Sequence, residues 1–224
     1  MKREVIRTAD GSSTIRIESI EENYHSGHGA LQEARHVFIK NGLDFLREHK
    51  KICVFEMGFG TGLNALLAAE FALNHGIRVE YTGIEAYPVE KDLISQLNYT
   101  EKLGSLSDIY NQMHSVCWGK QHMLDPLFEF HKIHSRIEDW EGAWDQFDIV
   151  FFDAFGPRAQ GEMWEIEILE KMHRLLVPGG VFVTYCAKGQ LKRDLRSLGF
   201  KVESLPGPPG KREMTRGVKG RFDI

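Results

Sequence analysis

The stretch Ile52-Cys53-Val54-Phe55-Glu56-Met57-Gly58-Phe59-Gly60-Thr61-Gly62-Leu63-Asn64 decides the fold. An apolar run ends at Glu56, and glycine then takes every second position from 58 to 62. An Ala- and Leu-rich helix follows from Leu63 to about His75, where Gly76 closes it. Lacking Cβ atoms, the glycines permit a tight turn and bare the first N–H groups of the helix, so a ligand can meet backbone directly. The spacing narrows the ligand. A dinucleotide turn needs Gly-x-Gly-x-x-Gly, and with Gly58 and Gly60 in place the last position is Leu63. A phosphate loop needs Lys followed by Ser or Thr, whereas Asn64 and Ala65 follow Leu63. Both phosphate-bearing ligands lose ground. The plain alternative is that the three glycines serve only close helix–sheet packing.

Outward from this turn, strands alternate with helices. The second strand reads Val79 to Glu85, and Pro88 suits the first turn of the next helix. Two helices are expected between Gln96 and Leu127, a third strand from Phe128 to His134 and a fourth from Phe147 to Asp153. A helix from Met163 to Leu176 ends at the turn Pro178-Gly179-Gly180, before a fifth strand from Val181 to Tyr185. After a helix from Gln190 to Leu198, Val202–Leu205 and Met214–Val218 read as antiparallel closing strands. The pattern predicts an α/β, Rossmann-like fold, a mostly parallel sheet with helices on both faces. Ahead of it, Val5–Arg7 and Thr14–Ile17 flank an Asp10-Gly11 hairpin turn, and Leu31, Ala34, Val37 and Phe38 recur at helical spacing before Asn41-Gly42. Residues 1–50 are therefore expected to form a hairpin and helix extension, and 51–224 the main domain.

The 224 residues are 42% hydrophobic and 27% charged, which excludes a fibre and wholesale disorder. A net charge of −4 argues against general affinity for nucleic acid, but the charge is uneven. From Lys188 onward ten Lys and Arg face four acidic residues, a local +6 against −10 for the rest. This asymmetry permits a phosphate-binding face, or is simply a solvated helix face with a charged terminus. Three scattered cysteines, Cys53, Cys117 and Cys186, make no disulfide framework and point to a reducing cytosol, with Cys53 and Cys186 read as packing residues in core strands. No apolar run approaches the roughly 20 residues that span a bilayer, and no signal core opens the chain, so the expectation is a cytoplasmic protein with no membrane contact. His25-x-x-His28 and His131-x-x-His134 lack converging cysteines, and no metal site is expected. No Gly-x-Ser-x-Gly elbow points to a hydrolase.

Glu56-x-Gly58-x-Gly60-x-Gly62 resembles the first motif of class I S-adenosyl-L-methionine-dependent methyltransferases. The chemistry agrees, because that cofactor carries no phosphate. The resemblance implies that Glu56, Gly58, Phe59, Gly60, Gly62 and Asn64 hold the cofactor, and that Glu85, 23 residues past Gly62 at the tip of the second strand, accepts both ribose hydroxyls. Asp153-Ala154-Phe155-Gly156-Pro157, at the tip of the fourth strand, resembles the acceptor segment of amino methyltransferases, with Asp153 aiming a nitrogen lone pair at the methyl.

Several segments in order are similar to a narrower family, the methyltransferase domain that completes 5-methylaminomethyl-2-thiouridine at the tRNA wobble position (the MnmC/MnmD type). They are Tyr24-His25-Ser26, Gly29 to Glu33, Val37-Phe38, Glu56 to Asn64, Asp153 to Pro157 with Glu162-Met163-Trp164, Pro178 to Gly180, and Gly210 to Met214. The resemblance implies N-methylation of the aminomethyl group of 5-aminomethyl-2-thiouridine, with the tRNA anticodon region as partner. It puts Tyr24, His25, Ser26, Phe155 and Pro157 around the substrate. For RNA, Lys188, Lys211 and Arg212 are the expected phosphate contacts, joined by Lys192 and Arg193. Trp164 is a stacking surface or, more simply, packing. In some members the domain is fused to an FAD-dependent oxidoreductase; this chain is too short for one, and the expectation is the stand-alone form. One position departs: where the family commonly has an acid for the adenine amino group, this chain has Arg136, and Glu138 or Asp139 is expected to serve with a shifted turn. The competing readings are a small-amine methyltransferase or aminopropyltransferase of the same fold, and an inactive RNA-binding module.

The expected reaction is direct displacement by an amine. An alkylamine with a pKa of about 10.4 must lose its proton before it has a lone pair, at a cost of about 4.6 kcal/mol at pH 7. Asp153 is expected to orient the amine and take a proton transiently rather than act as a strong base, with alignment supplying most of the rate.

Overall fold

The computed structural model describes residues 2–220; Arg221 and Asp223 of the basic tail lie outside them. β4 (Lys51–Met57) leads into the glycine turn, and α2 (Leu63–His75) leaves it, as the glycine spacing predicts. β4 is the central strand. Val54 pairs in parallel with Tyr81 of β5 (Arg78–Glu85) on one side and with Ile149 of β8 (Phe147–Phe152) on the other. β7 (Phe128–His134) extends the sheet beyond β5, and β9 (Leu176–Thr184) beyond β8, both parallel. Three antiparallel strands complete eight: β6 (Gln121–Asp125) outside β7, then β11 (Glu213–Lys219) and β10 (Phe200–Pro206) outside β9. The order is β10-β11-β9-β8-β4-β5-β7-β6. The chain runs outward from β4 through β5, then returns to β8 on the other side. That reversal opens a crevice at the carboxyl ends of β4 and β8, where α/β sheets bind ligands.

Alternation along the strands divides the core. Val54, Tyr81 and Phe151 face a cluster built with Leu66 and Leu67 of α2; Phe55, Val150 and Phe152 face a second cluster with Leu169 and Leu175 of α6 (Ile166–Leu175) and Leu195 of α7 (Gly189–Ser197). The N-terminal hairpin, β1 (Arg3–Arg7) with β2 (Ser13–Ile17), gains a short third strand, β3 (Glu22–Asn23). α1 (Ala30–Ala34) continues into a π-helical segment, Arg35–Lys40. Ile15, Ala30, Leu31, Val37 and Phe38 are buried in the α2-side cluster, so these residues share the sheet's own core. This packing explains why α2, apolar almost all round, is stable: the sheet covers one side and the π-helical segment the other.

Five expectations differ in detail. Pro88 precedes its helix, because α3 (Lys91–Ile94) starts after an extended Glu90. The region from Gln96 to Leu127 holds α4 (Tyr99–Lys102), α5 (Ser107–Ser115) and also β6. β6 has no fully buried residue, so no apolar alternation marks it. Pro178-Gly179-Gly180 lies within β9: Phe147 pairs with Leu176 and Ile149 with Val181, so the segment bulges out of a continuous strand. The preceding helix starts only at Ile166, since Glu165 is extended, and Cys186 is buried just beyond β9 rather than within it.

Candidate functional site

All three glycines of the turn have left-handed backbone, with φ of +90°, +52° and +76° at Gly58, Gly60 and Gly62. Space is equally restrictive. A Cβ on Gly58 would lie 2.9 Å from the Asp153 carbonyl oxygen, and one on Gly60 would lie 2.9 Å from the Tyr24 ring. The turn is pinned to the neighbouring strand by Gly58 and Phe59, whose N–H groups donate to the Ile84 carbonyl at 3.1 and 3.0 Å. Glu85 then reaches the rim. Its Oε2 accepts the Gly60 N–H at 2.9 Å and its Oε1 accepts the Tyr87 N–H at 2.9 Å. A turn that serves a phosphate keeps its N–H groups free for the anion. Here a carboxylate occupies one of them, and its charge repels phosphate while its remaining lone pairs accept hydroxyl protons.

Beneath the turn, Asn64 Nδ2 donates to Glu56 Oε1 at 2.8 Å and to Asp153 Oδ2 at 2.7 Å. Glu56 is completely buried, and loss of water drives its carboxyl well above the usual range. Asp153 is pushed up to about 7, first by loss of water and then by the neighbouring Glu33 charge; Asn64 and Lys211 oppose the rise. A carboxyl that titrates near neutrality is a better proton acceptor for an amine than an ordinary aspartate.

Two cavities meet at Asp153. The larger, of about 270 Å³, is lined by Gly58, Phe59, Gly60, Asn64 and Glu85, by the 135–138 segment, and by Met163. The smaller, of about 220 Å³, is lined by Glu21, Glu22, Ser26, Glu33, Gly156, Tyr185 and Lys211. Tyr24, His25, Asp153, Ala154 and Phe155 border both. Tyr24 packs edge-on against Phe155 with centroids 5.1 Å apart. His25 is buried against the Thr14 hydroxyl, at 3.2 Å from Nδ1, and burial lowers its pKa to about 4, so the ring is neutral.

Among the residues singled out from the sequence, Gly58, Phe59, Gly60, Asn64, Glu85, Tyr24, His25, Asp153 and Phe155 converge on the larger cavity, and Ser26 and Lys211 on the smaller. Glu56 and Gly62 stand behind the lining and support it. Asp139 does not line either cavity, whereas Glu138 does, paired to Arg136 at 2.8 Å. Pro157, Lys188 and Arg212 lie outside both cavities, the latter two exposed. Lys192 is no free cation: it is buried and bound to Glu213 and Ser204, both at 2.7 Å. Arg193, on α7, bonds Gln190. Trp164 is buried, with its Nε1–H on the Phe155 carbonyl at 2.8 Å, so it packs beneath the acceptor loop and offers no stacking face. The sequence reading passed over Glu33, Tyr185 and Arg3. Glu33 sat inside a quoted segment, Gly29 to Glu33, but its position on a helix gave no sign that it turns toward Asp153.

The residues present suit S-adenosyl-L-methionine. Bare backbone approaches the cavity at Gly58 and Gly60, the Glu85 carboxylate occupies the Gly60 N–H that a phosphate turn would leave free, and the charged groups of the lining are mainly acidic, with Arg136 paired to Glu138 and Arg3 to Glu90. A cationic sulfonium nucleoside fits such a lining; a pyrophosphate does not. Residues 109–220, half of the chain, match a family model described as S-adenosyl-L-methionine-dependent methyltransferase, and the chain belongs to that family. More particular likenesses point one way. The tRNA 5-methylaminomethyl-2-thiouridine biosynthesis bifunctional protein MnmC of Pseudomonas fluorescens is 29% identical, over 93% of this chain and 34% of that one. Its counterpart in Marinomonas sp. is 30% identical, over 88% and 31%. The chain thus spans about a third of the length of these relatives. The crystal structure of MnmC2 from Aquifex aeolicus superimposes with a TM-score of 0.79 at 25% identity, covering 98% of this chain and 71% of that one.

Proposed function

We propose that this methyltransferase acts on the aminomethyl nitrogen of 5-aminomethyl-2-thiouridine at the wobble position of tRNA, giving 5-methylaminomethyl-2-thiouridine. The names of the relatives supply the substrate class, and one observation carries the reading: Asp153 stands on the wall between a cavity suited to the cofactor and a second, acidic and aromatic one suited to an amine. S-adenosyl-L-methionine supplies, when bound, a methyl group on a cationic sulfur. Glu85 accepts its ribose hydroxyls, Glu138 rather than Asp139 serves the adenine edge, and the backbone of Gly58 to Gly60 forms the floor.

The incoming amine enters as an ammonium and must shed a proton. Asp153, titrating near 7, narrows the gap to an alkylamine of about 10.4 and takes that proton at its carboxylate, while the Tyr24 and Phe155 rings exclude water. Asn64 fixes the Asp153 carboxyl so that the amine nitrogen is held toward the methyl, and alignment contributes the larger share of the rate. Residues 51–224 form the catalytic domain in this reading, and 1–50 an extension that lends Tyr24, His25 and Glu33 to the acceptor side. Lys188, Arg193 and Arg212 are exposed cations placed to meet anticodon phosphates. No helix among the described residues is long and apolar enough to cross a membrane, and we place the activity beside tRNA in the cytoplasm.

The test is transfer from methyl-labelled cofactor to tRNA bearing 5-aminomethyl-2-thiouridine, with polyamines in parallel and nucleosides read by mass spectrometry. One added methyl on the modified uridine is expected. Label on polyamines with none on tRNA would replace this reading with a small-amine methyltransferase.

A further inference from the structure

Glu33 and Lys211 meet in the smaller cavity from opposite ends of the chain, with Nζ 2.6 Å from Oε2. Glu33 is buried on α1, and its other oxygen accepts the Ser26 N–H at 2.9 Å, so both carboxylate oxygens are held. Lys211, in the loop between β10 and β11, also lies 3.8 Å from the centre of the Tyr185 ring. The Tyr185 hydroxyl in turn donates to the Ala154 carbonyl at 2.8 Å, one residue from Asp153. The ion pair, the ring and Asp153 therefore share one chamber. Only the Glu33 end of the pair is buried, Lys211 being about a third exposed, so desolvation of the carboxylate offsets much of the attraction and the pair gives little net stability. Each of its two charges also acts on the third ionisable group of the same chamber, Asp153, in opposite directions.

We propose that Glu33 and Lys211 are positioning residues for the transfer reaction, a half-buried ion pair whose balance sets how tightly Asp153 holds a proton. This deepens the reading of the site given above and rests on it. Asp153 is faced by Glu33 from α1, Lys211 from the β10–β11 loop, Glu56 from β4, Tyr81 from β5, Asn64 from α2, Glu21, Glu22, Tyr24 and His25 from the segment around β3, and Tyr185 from beyond β9. Lys211 is the one cation in this set, and His25 is neutral above about pH 4. The pair is thus poised: with both ions present their fields at Asp153 oppose each other, and loss of either leaves the other unopposed.

Two substitutions separate this role from simple packing, because they move Asp153 in opposite directions. Glu33→Gln keeps the bond from Ser26 but leaves Lys211 unpaired beside Asp153, and the Asp153 midpoint is expected to fall by about one pH unit. Lys211→Met leaves Glu33 unopposed, and the midpoint is expected to rise by a similar amount. Glu33→Asp is expected to restore most of the wild-type midpoint. The midpoint is read by 13C NMR titration of the Asp153 carboxyl in the folded protein without substrate, so the outcome stands even if the tRNA assay fails. Where transfer is measurable, the pH–rate profile should move with it. Midpoints that stay put, or that shift the same way in Glu33→Gln and Lys211→Met, would overturn the proposal.

Discussion

Asn64 and Asp153, 89 positions apart in the chain, are joined by a 2.7 Å hydrogen bond, and the same Asn64 nitrogen holds Glu56 at 2.8 Å. One amide therefore serves two carboxyls that sit at the tips of adjacent parallel strands. Replacing it by Leu removes their shared donor. Asn64→Leu should lower unfolding stability by about 2 kcal/mol in urea at pH 7 and move the Asp153 midpoint above 7. An unmoved midpoint would reduce Asn64 to a packing residue.

Asp153 must be ionised to take a proton, so kcat/KM should rise with pH through about 7 as its carboxyl ionises. Asp153→Asn keeps the shape of the side chain and loses the base. Transfer should fall by about 100-fold or more, with that limb of the profile gone. Affinity for S-adenosyl-L-methionine, measured by calorimetry, should change by less than about threefold, within the range expected for loss of one weak contact.

In the proposed binding mode Glu85 takes the ribose hydroxyls of the cofactor and Glu138 its adenine edge. Glu85→Ala removes a charged acceptor for two hydroxyls and should weaken cofactor binding by about 100-fold. Glu138→Ala should cost about tenfold, the scale of one hydrogen bond, while Asp139→Ala should leave affinity unchanged because Asp139 does not line the cavity. Equal losses at 138 and 139 would contradict this assignment of the adenine edge.

His25 and His114 both titrate near 4 in the folded protein, against an ordinary 6.5, because burial disfavours the charged ring. A depressed pKa contributes stability that is present above 6.5 and is lost as pH falls through about 4. For His25, the more deeply buried, the full loss is about 3 kcal/mol. Glu56 and Asp153 act in the opposite sense, since their raised pKa values favour the fold as pH falls and offset the loss. The histidine share is therefore read as a difference: the stability of His25→Gln, which retains a partner for Thr14, should rise relative to that of the wild type as pH falls from 7 to 4 in chemical unfolding.

The parallel core was legible because its signals are local. β7 spans Phe128 to His134 and α2 spans Leu63 to His75, as expected from periodicity and glycine punctuation alone. β6 escaped because an edge strand with no fully buried residue carries no alternation, and Pro178-Gly179-Gly180 misled because a bulge inside a strand has the composition of a turn. In the site, Gly58, Gly60, Glu85 and Asp153 could be named because each sits at the tip of a strand, where topology alone brings them to one edge. Lys192 could not be told from a phosphate contact, since the sequence shows its charge and not its partners Glu213 and Ser204.

By itself, the amino-acid sequence determined the strand–helix alternation and the tight glycine turn, both set by neighbours a few residues apart, and its motifs carried the resemblance that named the class of ligand. Only the tertiary structure decided that Glu138 rather than Asp139 faces the cavity, that Trp164 lies beneath the acceptor loop, and that Glu33 meets Lys211 beside Asp153. The reason is physical: charge, desolvation and hydrogen bonding act over a few ångströms of space, and the groups that set the proton affinity of Asp153 come from segments that only folding brings together.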